Sequence, residues 1–260
     1  MGDGMTEKKI DKEIAEVKRI KSGIPGFDEL VGGGFIEGSI NMVSGTTGSG
    51  KTIFCSQFLW QGLKQNEPGM LYASVEQLGE TIIGDLKRLG MNFEPYIKSK
   101  KCVILDVLPS SFKDFSKLIL EKISEANAKR FVLDSLSVLL ATIKEFPEIF
   151  NGMEYRITPQ PKIRRMLFNF TKKLKLSGVT SLFISEIPTV EPRALSRFGF
   201  EEFVADAVIV LRMFEYAGAK SPRSLQVIKM RGTKHSTDIH PFVIGKGGIR
   251  VMKPEKGVIV

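Results

Sequence analysis

Apolar residues along this chain come in two spacings. Short unbroken runs at Ser39–Ser44 (SINMVS), Met70–Glu76, 101–109 (KCVILDVLP), 130–140 (RFVLDSLSVLL) and Thr180–Pro188 read as strands buried on both faces. Between them, apolar positions recurring every three or four residues predict helices over Gly50–Lys64, 80–90, Phe112–Lys129 and Lys162–Leu176. The last of these sets Ile163, Leu167, Phe170 and Leu174 on one core-facing stripe and turns Arg164, Arg165, Lys172 and Lys173 away from it. Repeated β–α–β alternation predicts an α/β fold, a mainly parallel twisted sheet with helices on both faces. From Val204 the pattern changes to consecutive strands, ADAVIVLRMFEY, SLQVIKMRG, HPFVIG and GIRVM, joined by the turn signals AGAKSPR and GKGG. These predict a C-terminal antiparallel extension of the same sheet, so that residues 19–260 form one domain behind a charged N-terminal extension, 1–18. Within that extension Ile10, Ile14 and Val17 share helical spacing. Two stretches carry no regular pattern: Ile143–Gln160, broken by Pro147, Gly152 and Pro159 and followed by Pro161, and Thr189–Gly199. Both are expected to be loops, as is the Gly- and Pro-rich lead-in from Arg19 to Ser39.

Directly after the first strand stands GTTGSGKT, Gly45 to Thr52, and directly after it the helix IFCSQFLWQGL. Strand, glycine-rich turn and helix in that order let backbone N–H groups surround a polyphosphate where the helix dipole favours anions. Gly45, Gly48 and Gly50 permit the curvature, and Thr46, Thr47 and Ser49 complete the cradle. Lys51 is expected to reach the β- and γ-phosphates, and the Thr52 hydroxyl to bind a Mg²⁺ bridging them.

Composition and charge narrow the setting. No apolar run approaches the ~18 residues of a membrane span, so no membrane partner is expected. The opening MGDGMT formally fits an N-acylation pattern, but the charged segment behind it reads as solvated. With no secretory leader in view, Cys55 and Cys102 are expected to be buried thiols in a reducing, cytoplasmic compartment. The formal charge of +9 allows a polyanionic partner without requiring one, because bound phosphates account for part of it.

Hydrolysis needs a carboxylate near the metal and a group that orients or deprotonates water. For the metal, Asp134 at the end of FVLD is favoured over Asp106 at the end of VILD, on the expectation that the carboxylate comes from a strand adjacent to the phosphate loop. For the water, Glu76 ends the strand after the phosphate-loop helix and suits a general base. Gln77 and Glu186 are weaker candidates at neighbouring strand ends. The segment KMRGTKH, Lys229 to His235, puts two cations on one strand face by i, i+2 spacing.

SGIPGFDELVGGGFIEGS followed by GTTGSGKT, SVEQ, FVLDS and KMRGTKH in that order resembles the KaiC-like branch of the RecA/RadA ATPases, over about Arg19 to Met252. The resemblance implies a RecA-like P-loop fold assembled with copies of itself into a ring, expected to be a hexamer, with ATP and Mg²⁺ bound between subunits. It implies that Lys229 and Arg231 reach a neighbour's γ-phosphate, with Thr233 and His235 nearby, and it favours Asp134 as metal ligand and Glu76 as base. One departure stands out: Gln77 occupies a position where the family often has a second acid, which makes slow hydrolysis an expectation. An autokinase activity and a circadian role are not expected.

Three functions compete on these grounds. The first is an oligomeric ATPase acting as an assembly or conformational switch for a protein partner. The second is a recombinase-like binder of single-stranded DNA, using Arg156, Arg193 and Arg197, with Tyr155 available for stacking. The third is a small-molecule kinase, against which stands the lack of an arginine-rich lid.

Overall fold

The computed structural model describes residues 17–143, 161–213 and 223–253. Eleven strands are present among them. β1 (Arg19–Ile20) and β2 (Phe35–Ile36) form a small antiparallel pair. The other nine are β3 (Ile40–Gly45), β4 (Gly69–Ser74), β5 (Cys102–Asp106), β6 (Ala128–Asp134), β7 (Thr180–Glu186), β8 (Ala207–Met213), β9 (Arg223–Met230), β10 (Ile239–Gly245) and β11 (Gly248–Val251). They build one sheet in the order β11-β10-β9-β8-β3-β7-β6-β4-β5. The six strands from β8 to β5 run parallel, and β9, β10 and β11 continue the sheet antiparallel. The expected α/β class and its antiparallel extension are therefore present. One boundary moves: ADAVIVL belongs to the parallel part, because β8 lies alongside β3 with Gly45 facing Leu211.

Eight helices join or cover these strands among the described residues: α1 (Phe27–Leu30), α2 (Lys51–Lys64), α3 (Gly79–Arg88), α4 (Glu94–Lys98), α5 (Phe112–Glu125), α6 (Leu136–Thr142), α7 (Pro161–Leu176) and α8 (Glu201–Val204). Two cores sandwich the sheet. On one face Phe54, Phe58 and Leu59 of α2 meet Phe27 and Phe35 of the lead-in and Ile82 and Leu86 of α3. On the other, Phe115 of α5 and Phe170 of α7 meet Phe131 and Phe183 of the central strands. Ile163, Leu167, Phe170 and Leu174 are buried as the stripe predicts.

Several segments depart from the sequence expectation. SLSVLL, read as the continuation of a strand, is α6: the Ser135 hydroxyl accepts the Val138 N–H at 3.2 Å and caps a helix whose Leu136, Leu139 and Leu140 face the core. An apolar run this short fits either period, and the cap decides. The helix expected to reach Lys129 stops at Glu125, where Asn127 adopts a left-handed φ of 47° and lets the chain turn into β6. The strand expected to reach Glu76 ends at Ser74, whose hydroxyl bonds the Gln77 carbonyl and bends the chain into a turn. Pro161, taken as a breaker, is the first residue of α7, where a missing N–H costs nothing. The short helices α4 and α8 carry no sequence expectation, and the lead-in forms β1, α1 and β2 in place of a plain loop. The helical spacing of Ile10 and Ile14, most of the Ile143–Gln160 loop, Tyr155, Arg156 and most of AGAKSPR fall outside the described residues.

Arg130 fastens the lead-in and α2 to the sheet. Its side chain is fully buried, Nε and Nη2 donate to Glu67 at 2.7 and 2.6 Å, and Nη1 donates to the carbonyls of Lys21 and Phe58. The guanidinium also lies 4.5 Å from the centre of the Phe58 ring. Cys55 and Cys102 are buried free thiols, and burial pushes the Cys102 thiol up to about 12. Removing the buried guanidinium leaves the Phe58 carbonyl without its donor and the partly exposed Glu67 without its partner. Arg130→Met is expected to lose about 3–5 kcal/mol of stability, read as a lower midpoint in urea unfolding.

Candidate functional site

In a parallel sheet the carboxyl ends of all strands lie on one edge, and β3, β7, β6 and β4 place theirs side by side. The phosphate loop leaves β3 at that edge. Gly45 is required by packing, since a Cβ there would lie 2.3 Å from the Leu211 carbonyl oxygen and 2.6 Å from Ser49 Oγ. Gly50 is required by conformation: at φ 102° it is the left-handed N-cap from which α2 begins. The first N–H groups of a helix have no partners within it, and this helix end, at Lys51 and Thr52, lines the cavity at the loop.

Thr47, Gly48, Lys51, Thr52, Glu76, Gln77, Asp134, Ile184 and Glu186 line one cavity over this loop. The Lys51 ammonium donates to the carbonyls of Gly45 and Thr46 at 3.0 and 2.9 Å, which holds it across the loop mouth. Asp134 is almost fully buried, and its Oδ2 accepts from Thr52 Oγ1 at 2.8 Å and from Tyr72 Oη at 2.5 Å. Asp106 lies on the outer strand β5 and accepts the Gly79 N–H at the start of α3. The two aspartates that sequence left as rivals are thus separated by position: Asp134 stands in the cavity and Asp106 starts a helix. The reason given for Asp134 needs correcting, because its strand is not adjacent to β3. β7 lies between them, and the carboxylate on the adjacent strand is that of Glu186, which pairs in register with Gly45.

The charges here oppose one another. Burial lowers the pKa of Lys51, while Glu186, Asp134 and Glu76 draw it back up. Burial raises that of Glu76, and the carboxylates of Glu186 and Asp134 raise it further. Asp134 is likewise raised by burial, against its hydrogen bonds from Tyr72 and Thr52. Three carboxylates around one ammonium form a site short of positive charge. A divalent cation bound with a polyphosphate would supply that charge, and the Thr52 hydroxyl and Asp134 carboxylate would offer it the oxygen donors a hard ion takes. Thr46 Oγ1 and Ser49 Oγ, buried in the loop, have no hydrogen-bond partner among the described residues. The residues present therefore fit Mg²⁺ and nucleotide phosphates. Among the described residues no group of three or more His, Cys, Asp and Glu side chains forms a metal cage, so phosphate and water oxygens would complete the shell.

Lys229, Arg231, Thr233 and His235 lie at the other edge of the sheet. Lys229 pairs with Val208 near the start of β8, and the Arg231 N–H donates to the Asp206 carbonyl. The Asp206 N–H in turn donates to the Ile40 carbonyl at the start of β3. Five residue steps of about 3.3 Å separate Ile40 from Gly45, roughly 17 Å along the strand. Both cations do point the same way, as i, i+2 spacing predicts, although Arg231 lies one residue past the end of β9. Lys229 Nζ donates to the carbonyls of Glu202 and Ala205, and Arg231 donates to the Phe203 carbonyl and the Asp206 carboxylate. Thr233 Oγ1 accepts from Arg19, and His235 Nδ1 lies 3.0 Å from the Ser236 carbonyl oxygen.

Of the arginines named for DNA, Arg197 is ion-paired with Glu186 at 2.9 Å and Arg193 is exposed. Sequence ranked Glu186 low because no motif marks it; its signal is the strand-end position shared with Glu76 and Asp134. No helix among the described residues is long and apolar enough to cross a membrane.

The profile of the family described as "ATPase: KaiC" matches residues 20–256. A Thermotoga maritima relative named UPF0273 protein is 33% identical, with 93% of this chain and 98% of the relative aligned. The circadian clock oscillator protein KaiC of Parathermosynechococcus lividus is also 33% identical over 92% of this chain, which spans only 43% of the clock protein. A solved structure of a KaiC-like protein from Pyrococcus horikoshii superimposes with a TM-score of 0.77 at 35% identity, covering 92% of this chain and all of the other. With its RecA-like sheet and phosphate loop, the chain belongs to the KaiC ATPase family.

Proposed function

We propose that this protein is a Mg²⁺-dependent ATPase working as a homo-oligomeric ring, with ATP bound between subunits, and that it serves as an assembly or conformational switch for a protein partner in the cytoplasm. The observation that carries the proposal is the separation of the site into two halves. Lys51, Thr52, Asp134 and Glu76 stand at one sheet edge, and Lys229 and Arg231 stand at the other, beyond reach of the same chain's phosphate loop. A second copy bringing its cations to the first copy's loop joins the halves, which makes the nucleotide part of the subunit interface. A hexameric ring and a single domain over 19–260 belong to the same reading.

Each residue then has one task. The loop N–H groups and Lys51 hold the phosphates, Thr52 and Asp134 hold the metal, and Tyr72 fixes the Asp134 carboxylate. Glu76 accepts a proton from the attacking water, and its raised basicity suits that role. The metal, when bound, neutralises charge that develops on the β–γ bridging and γ-oxygens. Lys229 and Arg231 of the adjoining copy stabilise the same charge, with Thr233 and His235 beside them. Gln77 cannot act as a second base, which supports slow turnover and a long-lived ATP state, as a switch requires. Nothing favours the DNA reading to the same degree, since Arg197 is paired within its own subunit.

Three measurements test this. Lys51→Ala is expected to abolish ATP binding in a nucleotide titration; full retained turnover overturns the phosphate-loop assignment. Arg231→Ala and Glu76→Gln are each expected to lose about 10³-fold in turnover. Mixed one to one they regain activity at about one interface in four, because random assembly pairs an intact base with an intact cation that often; no recovery in proven mixed rings counts against a shared site. A general base works deprotonated, so kcat/KM falls as pH drops through the raised Glu76 pKa, above the ordinary glutamate range. Glu186→Gln removes a neighbouring negative charge, lowers that pKa, and is expected to move the acid limb to lower pH.

A further inference from the structure

Glu201 opens α8 yet is 1% exposed, and the motifs of the site give it no role. Its carboxylate accepts the N–H groups of Phe198 and Phe200 at 3.2 and 3.3 Å, and the Ser185 hydroxyl donates to it at 3.3 Å. Ser185 Oγ lies 3.2 Å from Ser137 Oγ, and Ser137 Oγ accepts the N–H of Glu186 at 2.9 Å. Burial raises the Glu201 pKa, while the ionised carboxylate only accepts; with Ser185 donating to it, Ser137 is left as the donor to Ser185. Glu186 N–H donates to Ser137, Ser137 O–H to Ser185, and Ser185 O–H to Glu201. All four groups are buried or backbone, and each bond in such a chain polarises the next.

The near end of this chain is the nucleotide pocket. Glu186 lines it, and Ser137 is the second residue of α6, three residues after Asp134. The far end is the bracket that holds the exported cations. Glu201 begins the short segment whose next residues, Glu202, Phe203, Ala205 and Asp206, supply the hydrogen-bond partners of the Lys229 ammonium and the Arg231 guanidinium among the described residues.

We infer that Glu201 is a positioning residue, the buried anchor through which the occupied pocket of one subunit sets the Lys229–Arg231 cations that this subunit presents to the next. This rests on the shared site proposed above. Filling the pocket displaces Glu186 or the α6 terminus, the serine chain carries that displacement to Glu201, and α8 carries it to the bracket. Occupancy of one site thereby raises turnover at its neighbour, so hydrolysis by the ring is sigmoidal in ATP.

Glu201→Gln keeps the volume but breaks the polarity. The amide oxygen must face the two backbone N–H groups, which cannot reverse, so the NH₂ faces Ser185 and opposes its donated proton. Ser185→Ala deletes a single buried oxygen from the middle of the chain. The test is a steady-state ATP titration of the intact protein and both variants. The intact protein is expected to be sigmoidal and both variants hyperbolic, with the coupling between sites reduced about 5-fold or more. Hyperbolic turnover by the intact protein overturns the inference. So does sigmoidal turnover by Ser185→Ala, including the case where only its melting temperature falls, since that is the mark of a packing role. Ser185→Ala alone decides should Glu201→Gln fail to fold. Arg231→Ala separates the two levels of the argument. If it retains full turnover, the shared site is wrong. If it is inactive while the serine and glutamate variants stay cooperative, the shared site stands and the relay falls.

Discussion

The parallel pairing of β6, β7 and β3 is the constraint on which the rest of this molecule depends. Parallel strands send all their carboxyl ends to one edge, and helices must return the chain to the other edge before each new strand. Here that geometry delivers the phosphate loop after β3, Glu186 at the end of β7, Asp134 at the end of β6 and Glu76 just past β4 to one place. Residues as far apart as Thr52 and Asp134 come within 2.8 Å because the sheet registers them.

That convergence has an electrostatic consequence. Lys51, Glu76 and Asp134 are all disfavoured in their charged forms by burial, and the carboxylates outnumber the ammonium. In the protein alone Lys51 satisfies itself on the Gly45 and Thr46 carbonyls, and Thr52 and Tyr72 share Asp134. These bonds are charge-assisted, and they hold the ammonium and the carboxylate in place at the loop. Burial together with the neighbouring carboxylates Glu186 and Asp134 raises the basicity of Glu76, so in the proposed function one arrangement would both attract the metal nucleotide and prepare the base.

The antiparallel extension does a different job. Because β9 returns against β8, its end arrives at the edge opposite the phosphate loop and carries Lys229 and Arg231 with it. The 202–206 segment holds both side chains through backbone carbonyls and Asp206. A chain built this way carries its phosphate loop at one end of the sheet and the Lys229–Arg231 pair at the other. Asp206 joins them mechanically, since it also bonds the backbone of Ile40 at the foot of the phosphate-loop strand.

How much of this was legible beforehand follows from the range of the interactions. The phosphate loop, the buried runs, the α7 stripe and the terminal strands depend on neighbours within a few residues, and the order of residues determined them. Short-range rules failed where one polar atom settles the matter, as at Ser135, whose hydroxyl turns an apolar run into a helix, and at Ser74, whose bond to Gln77 ends a strand early. Strand order is a long-range property and left no local trace. Sequence could name Asp134 but gave the wrong neighbour for it, ranked Glu186 too low, and passed over Ser137, Ser185 and Glu201 altogether. By itself the sequence determined that a phosphate-binding loop stands on an α/β sheet with carboxylates at its strand ends. Only the tertiary structure decided which carboxylates meet that loop and which cations face away from it, because the hydrogen-bonded register between strands distant in sequence sets those distances.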